Sequence, residues 1–119
     1  MSMTYKELIE TEGGFSRDIL GNWPLTGYIV SLPGYTRRIV LENFSDENVK
    51  DYAASYFYEL TSPGSFFIGG WVENDEVWLD VSENIQSLVE AKLLGVERNQ
   101  IAIWDVVNSC EIPTGGTGE

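Results

Sequence analysis

The stretch of sequence that decides the fold is residues 66–81, Phe66-Phe67-Ile68-Gly69-Gly70-Trp71-Val72-Glu73-Asn74-Asp75-Glu76-Val77-Trp78-Leu79-Asp80-Val81. Two runs of β-prone residues flank Asn74-Asp75, and turn-forming residues between such runs predict a β-hairpin with a two-residue loop. Pairing outward from this turn places Glu73 opposite Glu76 and Trp71 opposite Trp78. The hairpin is therefore expected to form the centre of the fold.

The two faces of this hairpin differ in chemical character, because directly opposed residues of paired strands point to the same face. One face is aliphatic and is expected to be core, with Ile68, Val72, Val77, Leu79 and Val81. The other face carries two tryptophans side by side within a frame of carboxylates, namely Trp71, Trp78, Glu73, Glu76 and Asp80. These last five residues are the candidate partner-binding site.

The composition indicates a folded acidic protein. The chain has 119 residues, of which 43% are hydrophobic and 13% aromatic, so it is expected to form a single globular domain over residues 1–112. Residues 113–119, rich in Gly and Thr, are expected to be a disordered tail. Nineteen acidic residues against seven basic ones give a formal charge of −12. This charge disfavours nucleic acid and anionic membranes and favours a protein partner with a basic surface, although acidity also keeps small proteins soluble.

The sequence also predicts a cellular compartment. Cys110 is the only cysteine and cannot form an internal disulfide, which favours a reducing environment. The N-terminus has no apolar segment typical of a secretion signal, and no apolar run is long enough to span a bilayer. The protein is therefore expected to be soluble and cytoplasmic, without membrane association.

Elements on the N-terminal side of the hairpin follow from periodicity and turn residues. Residues 3–12 are predicted to form a short helix ended by Gly13, and residues 15–24 an irregular strap over the core. Strands are predicted at 26–32 and 36–41, joined as a hairpin by a type II turn at Pro33-Gly34. A helix is predicted to start after Ser45 and to bury Val49, Tyr52, Ala53, Tyr56, Phe57 and Leu60.

On the C-terminal side, a second long helix is predicted to begin with Asp80 or Ser82 as its N-cap and to end near Arg98. Its buried stripe is expected to consist of Ile85, Leu88, Val89, Leu93 and Val96. A last strand is predicted at 101–107, with a short return pairing at 110–112. The order ββαββαβ predicts an α+β fold with a mostly antiparallel sheet of about five strands and two helices packed on one face. One parallel pairing through the helical connection is allowed, with a right-handed crossover.

Catalytic chemistry has little support in the sequence. The absence of histidine removes Ser-His-Asp and Cys-His arrangements and most zinc sites. The carboxylate pair Glu73 and Glu76 flanks an exposed turn, where neither group gains the raised pKa that acid–base catalysis needs. Asn74 to Asp80 lacks the register of a calcium loop, and the glycine pairs are not phosphate loops. The sequence predicts no enzyme activity, no cofactor and no metal site.

A resemblance to a known group of proteins rests on four segments: Gly-Gly-Trp-Val (69–72), Val-Trp-Leu-Asp-Val-Ser (77–82), Asn-Gln-Ile-Ala-Ile-Trp-Asp (99–105) and Thr-Gly-Tyr-Ile-Val-Ser (26–31). From about Glu12 to the tail, the chain resembles small acidic proteins of uncharacterised function from actinobacterial phages, plasmids and integrated elements. These proteins have no established activity, so the resemblance implies no functional residues. It implies a mobile-element context, in which small acidic proteins sometimes mimic DNA to block restriction or CRISPR machinery.

Two functional hypotheses follow. In the first, the protein is a non-enzymatic interaction protein in which the tryptophan pair and its acidic frame engage a basic groove on another protein, in the manner of a DNA mimic. The carboxylates that such mimicry would use are Glu42, Asp46, Glu47, Asp51, Glu73, Asp75, Glu76, Asp80 and Glu83. In the second, the protein is a structural or accessory domain that acts through homo-oligomerisation at the Trp71/Trp78 face. The structural alternative is that the 15–24 strap or a homodimer mate covers this face.

Overall fold

The central hairpin forms as the sequence predicts. In the computed structural model, which describes residues 3–118, strands Phe66–Glu73 and Glu76–Ile85 pair antiparallel with Glu73 opposite Glu76 and Trp71 opposite Trp78. Asn74 and Asp75 adopt φ angles of 51° and 60°. Two successive positive φ angles define a type I′ turn, whose twist matches that of paired strands. The predicted aliphatic face is buried, and only Val72 retains partial exposure.

The sheet contains more strands than the five expected. Its strands are β1 (Gly14–Arg17), β2 (Tyr28–Ser31), β3 (Arg37–Val40), β4 (Phe66–Glu73), β5 (Glu76–Ile85), β6 (Ala102–Asp105) and β7 (Cys110–Pro113). The spatial order is β1-β4-β5-β2-β6-β7, with β3 also on β5, and the sheet is curled. Every strand pair among residues 3–118 is antiparallel, so the parallel pairing does not form.

The predicted hairpin around Pro33-Gly34 is wrong. Strands β2 and β3 do not pair with each other, because both pair with the same edge of β5. The ten residues of β5 are long enough to hold both strands end to end, and residues 32–36 bulge out between them. The turn itself is present, since Gly34 takes a φ of 90°. The turn separates β2 from β3 along one edge of β5 and does not fold them into a hairpin.

The segment predicted to be an irregular strap begins as a strand. Residues Gly14–Arg17 pair with β4, and Phe15 lies opposite Gly70. A Cβ atom on Gly70 would lie 2.3 Å from the Phe15 ring, so the glycine is what allows this side chain to pack on the core. Beyond Arg17, the segment does not continue as a strand. The strap therefore extends the sheet at one edge.

Four α-helices lie on the aliphatic face of the sheet, where two were expected. They are α1 (Tyr5–Glu12), α2 (Asp46–Ser55), α3 (Phe57–Thr61) and α4 (Leu88–Glu97). The predicted N-cap Ser45 is confirmed, and its backbone N–H donates to Asn48 Oδ1 at 2.8 Å. The helix predicted from Ser45 breaks at Tyr56, which turns Phe57 out of the predicted stripe into solvent.

Helix α4 starts later than predicted, and it buries a different face from the predicted one. Strand β5 continues to Ile85, so Asp80 and Ser82 are strand residues and Ser87 is the N-cap. The buried residues of α4 are Ala91 and Gly95, whereas the predicted stripe of Leu88, Val89, Leu93 and Val96 is exposed. A Cβ atom on Gly95 would lie 2.9 Å from Ile103 Cγ2. The small residues face the sheet because only they allow this close approach.

The C-terminal segment runs beside the strand β6 region. Backbone N–H groups of Thr114, Gly116 and Gly118 donate to carbonyl oxygens of Ile101, Gln100 and Asn99 at 3.0, 2.9 and 2.8 Å. These contacts bring Gly118 close to the Trp78 ring. The disorder expected of this tail in solution stays a prediction. No helix within residues 3–118 has the length and apolar character needed to cross a membrane.

Candidate functional site

The face of the sheet opposite the helices forms an open groove. Together with the edge along α1, the groove has a volume of about 1420 Å³. Alternation along the strands points every second side chain of β2, β4, β5 and β6 into it. Its floor and walls include Ser31, Trp71, Trp78, Asp80, Ser82 and Trp104. A concave apolar surface with a few polar groups is the usual form of a binding site.

The tryptophan pair is part of the groove wall. The Trp71 and Trp78 rings lie 4.8 Å apart with an interplanar angle of 40°. Trp78 is only 8% exposed, and the Arg38 guanidinium lies 3.9 Å from the centre of its ring. Trp71 is partly exposed. Of the two tryptophans, Trp71 therefore has the surface that a ligand can reach.

Asp80 lies on the floor of the groove and not at a solvated rim. The residue is 5% exposed and pairs across the hairpin with Gly69. A Cβ atom on Gly69 would lie 2.4 Å from Asp80 Oδ1, so the missing side chain makes room for the carboxyl group. The Ser31 hydroxyl donates to Asp80 Oδ2 at 2.9 Å. The strand register thus holds the Asp80 carboxyl group against the sheet.

The other carboxyl oxygen of Asp80 has no hydrogen-bond partner among residues 3–118. Burial raises the pKa of this carboxyl group, and the Ser31, Trp71 and Ser82 side chains offset part of that rise. Trp71 and Ser82 lie close enough to exert this effect, but neither forms a hydrogen bond of normal geometry to Oδ1. Because buried polar atoms are nearly always paired, an open buried carboxyl oxygen requires an explanation.

A second unpaired polar atom lies on the same strand and the same face. The indole Nε1 of Trp78, two residues before Asp80, is buried and has no acceptor within the described part of the chain. The groove therefore contains one open acceptor and one open donor on β5. Both atoms are buried, and both residues line the groove.

The two predicted glutamates lie at one end of the molecule. Glu73 and Glu76 flank the turn of the central hairpin, and Asp75 accepts a backbone hydrogen bond from Leu41 at 2.9 Å. This contact brings the 3₁₀ turn Leu41–Asn43 to the same end, while α1 ends just before Gly14, which pairs with Trp71. We call this region the acidic end; its members are Glu12, Glu42, Glu73, Asp75 and Glu76. None of the five forms an ion pair with a basic side chain of residues 3–118.

The structure thus divides the predicted site into two parts. Trp71, Trp78 and Asp80 line the groove, whereas Glu76 and Glu73 belong to the acidic end, and Glu73 also reaches the groove rim. Sequence reasoning missed Ser31, Gly69 and Ser82, which surround the Asp80 carboxyl group. The register of the hairpin already contained the signal for Gly69 and for the inward direction of Asp80. Ser31 comes from β2, whose pairing with β5 was not predicted.

The groove offers hydrogen-bonding groups and aromatic side chains to a bound group. No group of three or more acidic or cysteine side chains within residues 3–118 is arranged to hold a metal ion. Cys110 is exposed on the edge strand β7. Asp80 can accept a proton or a hydrogen bond, and the aromatic walls can contact apolar or cationic groups.

Comparison of this chain with known protein families, with curated proteins and with solved structures finds no match. The resemblance to small acidic proteins of mobile elements therefore stays a prediction.

Proposed function

We propose that this protein is a non-enzymatic binding protein that engages a basic segment of another protein. The observation that carries the proposal is the continuity of two surfaces: the unpaired carboxylates of the acidic end lead directly into the tryptophan-lined groove through Glu73 and Trp71. Carboxylates at the rim attract and orient a basic partner, and aromatic walls supply the contact area that holds it.

Electrostatics favours a cationic partner over the whole approach path. The chain carries a formal charge of −12, and the five carboxylates of the acidic end have no internal counter-ions within residues 3–118. Exposed charge pairs contribute only about 0.5 kcal/mol each at physiological salt. Charge therefore governs the association rate and the choice of partner, and the groove must supply most of the affinity.

The DNA-mimic form of this proposal has less support than the general form. Mimicry requires carboxylates spaced along one surface, and two of the nine expected to serve are not available there. Asp80 is buried in the groove, and Glu83 forms an ion pair with Arg98 at 2.8 Å on the side of the helices. A cluster at the acidic end fits a short basic segment better than it fits a long phosphate-binding groove.

The test compares two triple variants that remove the same net charge from different places. The first neutralises the acidic end with Glu73→Gln, Asp75→Asn and Glu76→Gln; the control changes Glu59, Glu90 and Glu97 to Gln on α3 and α4. A lysine- and arginine-rich peptide of about ten residues serves as the probe, and tryptophan fluorescence reports its binding at several salt concentrations.

We expect the acidic-end variant to bind the peptide about tenfold more weakly at low salt, since three pairs at about 0.5 kcal/mol each give that factor. The control should change affinity less than threefold. An equal loss in both variants would mean that net charge alone drives the interaction, and the proposed surface would then be wrong.

Self-association is a second candidate function, and the exposed apolar residues of α4 are a better surface for it than the tryptophan pair. Trp78 is buried, so the tryptophan pair is a poor dimer contact, whereas Val89, Leu93 and Val96 on α4 are 70%, 66% and 62% exposed. These residues follow the i, i+4, i+7 spacing of a helix stripe. Light scattering on the wild type and on Leu93→Lys tests this candidate. A monomeric mass for the wild type at 100 µM, a concentration chosen on the order of typical dimer constants, would refute it.

A further inference from the structure

The floor of the groove carries a buried carboxyl group and two hydroxyl groups, which attraction of a basic segment to the rim does not need. Four positions from three strands meet there: Ser31 of β2, Gly69 of β4, and Asp80 and Ser82 of β5. Ser31 donates to one carboxyl oxygen of Asp80, and the other oxygen lies where a side chain at position 69 would be. Ser82 is fully buried, and its hydroxyl makes only a long contact of 3.5 Å to the Phe67 carbonyl. The pocket thus presents one acceptor, Asp80 Oδ1, without a partner among residues 3–118.

The unpaired oxygen has a physical cost that the fold does not offset. A buried charged group is tolerated in proteins when it is paired and hydrogen-bonded on all sides. Asp80 is more than nine-tenths buried and has one strong hydrogen bond. An apolar side chain at position 80 would avoid this cost entirely. A group from outside the chain is the component that would complete this arrangement.

We propose that Asp80 is the acceptor of a binding subsite for a cationic N–H group, an alkylammonium or a guanidinium, with Trp71 as its aromatic wall. The inference rests on the proposed function and deepens it, because a lysine or arginine side chain of the basic partner would supply this group. A free small amine is the other source of the same chemistry. Since Ser31 occupies Oδ2, the subsite accepts one N–H donor and not the two-pronged contact of a guanidinium with a free carboxylate.

Three features favour a cation over a neutral donor. The carboxylate gains most from a charged partner in a desolvated site, where charge-assisted hydrogen bonds are about twice as strong as neutral ones. The partly exposed indole of Trp71 attracts a cation to its ring face. The same groove already holds one such contact, since Arg38 lies 3.9 Å from the centre of the Trp78 ring.

The experiment uses small probes on the full chain, so that it does not depend on any protein partner. Butylamine and propylguanidine are the cationic probes, and pentanamide is the neutral probe of similar size. N-acetyl-lysine methylamide tests whether a peptide-borne ammonium enters as well as a free amine. Binding is measured by tryptophan fluorescence for the wild type, for Asp80→Asn and for the control Glu90→Gln, which removes one exposed carboxylate from α4, away from the groove.

We expect both cationic probes to bind the wild type and Glu90→Gln with affinities within threefold of each other, and to bind Asp80→Asn at least tenfold more weakly. Pentanamide should bind at least tenfold more weakly than butylamine. Equal binding by wild type and Asp80→Asn, or equal binding of amine and amide, would overturn the inference. Binding of butylamine without the lysine derivative would assign the subsite to a free amine and overturn the link to a protein partner.

A measurement on the wild type alone covers the case in which Asp80→Asn does not fold. Carbon-detected NMR follows the side-chain carboxyl carbon of Asp80 during titration with butylamine. A change in its chemical shift larger than that of Glu90 on α4 supports the subsite, and an unchanged Asp80 signal at saturating amine overturns it. The acidic-end variants test the proposed function separately, because they keep Asp80 and change only the rim.

Discussion

Replacing Asp80 by Asn should stabilise the ligand-free protein at neutral pH. The Ser31 hydroxyl donates to Asp80 Oδ2 at 2.9 Å, and the amide oxygen of Asn can accept the same hydrogen bond. The substitution removes an ionisable group from a site that is 5% exposed. Leaving a buried polar group unsatisfied costs about 1–3 kcal/mol, and more for a charged group. Because the new amide N–H₂ is itself only partly satisfied, we expect a net gain of about 1–2 kcal/mol.

The gain should depend on pH in a defined direction. Burial raises the pKa of Asp80 in the folded chain above its value in the unfolded chain, which is about 3.9. Below about pH 4 the group is protonated in both states, so wild type and Asp80→Asn should have similar stability. As the pH rises, the unfolded chain releases this proton more readily than the folded chain, and the wild type loses stability until the folded pKa is passed. The difference therefore opens above about pH 4.

Urea unfolding and thermal unfolding followed by circular dichroism, at intervals from pH 3.5 to 8, measure this difference. At pH 7 the thermal midpoint of Asp80→Asn should lie about 4–8 °C above that of the wild type, from about 4 °C per kcal/mol for a domain of this size. Glu76→Gln serves as the control, because it removes a carboxylate of the same strand from the acidic end. A variant less stable than the wild type at pH 7, or a difference that does not change with pH, would refute the assignment of Asp80 as an unpaired buried acid.

Three further predictions concern the residues that shape the fold around this site. Gly69→Ala should cost about 1–3 kcal/mol in urea unfolding, because its Cβ would lie 2.4 Å from Asp80 Oδ1, and Asp80→Ala in the same chain should recover part of that loss. Ala91→Leu on the buried side of α4 should cost a similar amount, whereas Leu93→Gln on the exposed side should change stability by less than about 0.5 kcal/mol; the reverse order would restore the predicted stripe as the buried one. Asp75→Gly should stabilise the hairpin by about 0.5 kcal/mol, because Asp75 holds a φ of 60° that glycine adopts without strain, and a loss of stability would indicate that the Asp75 side chain makes a contact of its own.

Local patterns predicted the parts of the fold that depend on neighbours in sequence. The register of the central hairpin follows from two turn residues and two β-prone runs, and it correctly paired Trp71 with Trp78. The N-cap at Ser45 and the glycine stop at Gly13 are also local signals. These features could be predicted because their hydrogen bonds close within a few residues.

Long-range pairing decided the parts that were wrong. The sequence predicts that β5 ends near Asp80 or Ser82, because these residues are good helix N-caps. In the structure, β2 pairs with residues 82–85 and keeps them extended. The same error shifted the start of α4 and led to the wrong buried stripe. Apolar periodicity predicts that Val89, Leu93 and Val96 are buried. In the structure, Ala91 and Gly95 are the buried residues, because α4 lies close to the sheet. Close packing of backbones favours small residues, which carry little hydrophobic signal.

The buried position of Asp80 follows from the same long strand. A residue near the end of a short edge hairpin would be solvated, and the carboxylate would then belong to an acidic rim together with Glu73 and Glu76. Because β4 covers one edge of β5 and β2 with β3 cover the other, Asp80 lies in the interior of the sheet on the groove face. Ser31, Gly69 and Ser82 around it are small, and none carries a charge that could neutralise a carboxylate. A core built for stability alone would place an apolar side chain or a basic partner there, so the open oxygen of Asp80 is better explained by a ligand than by the fold.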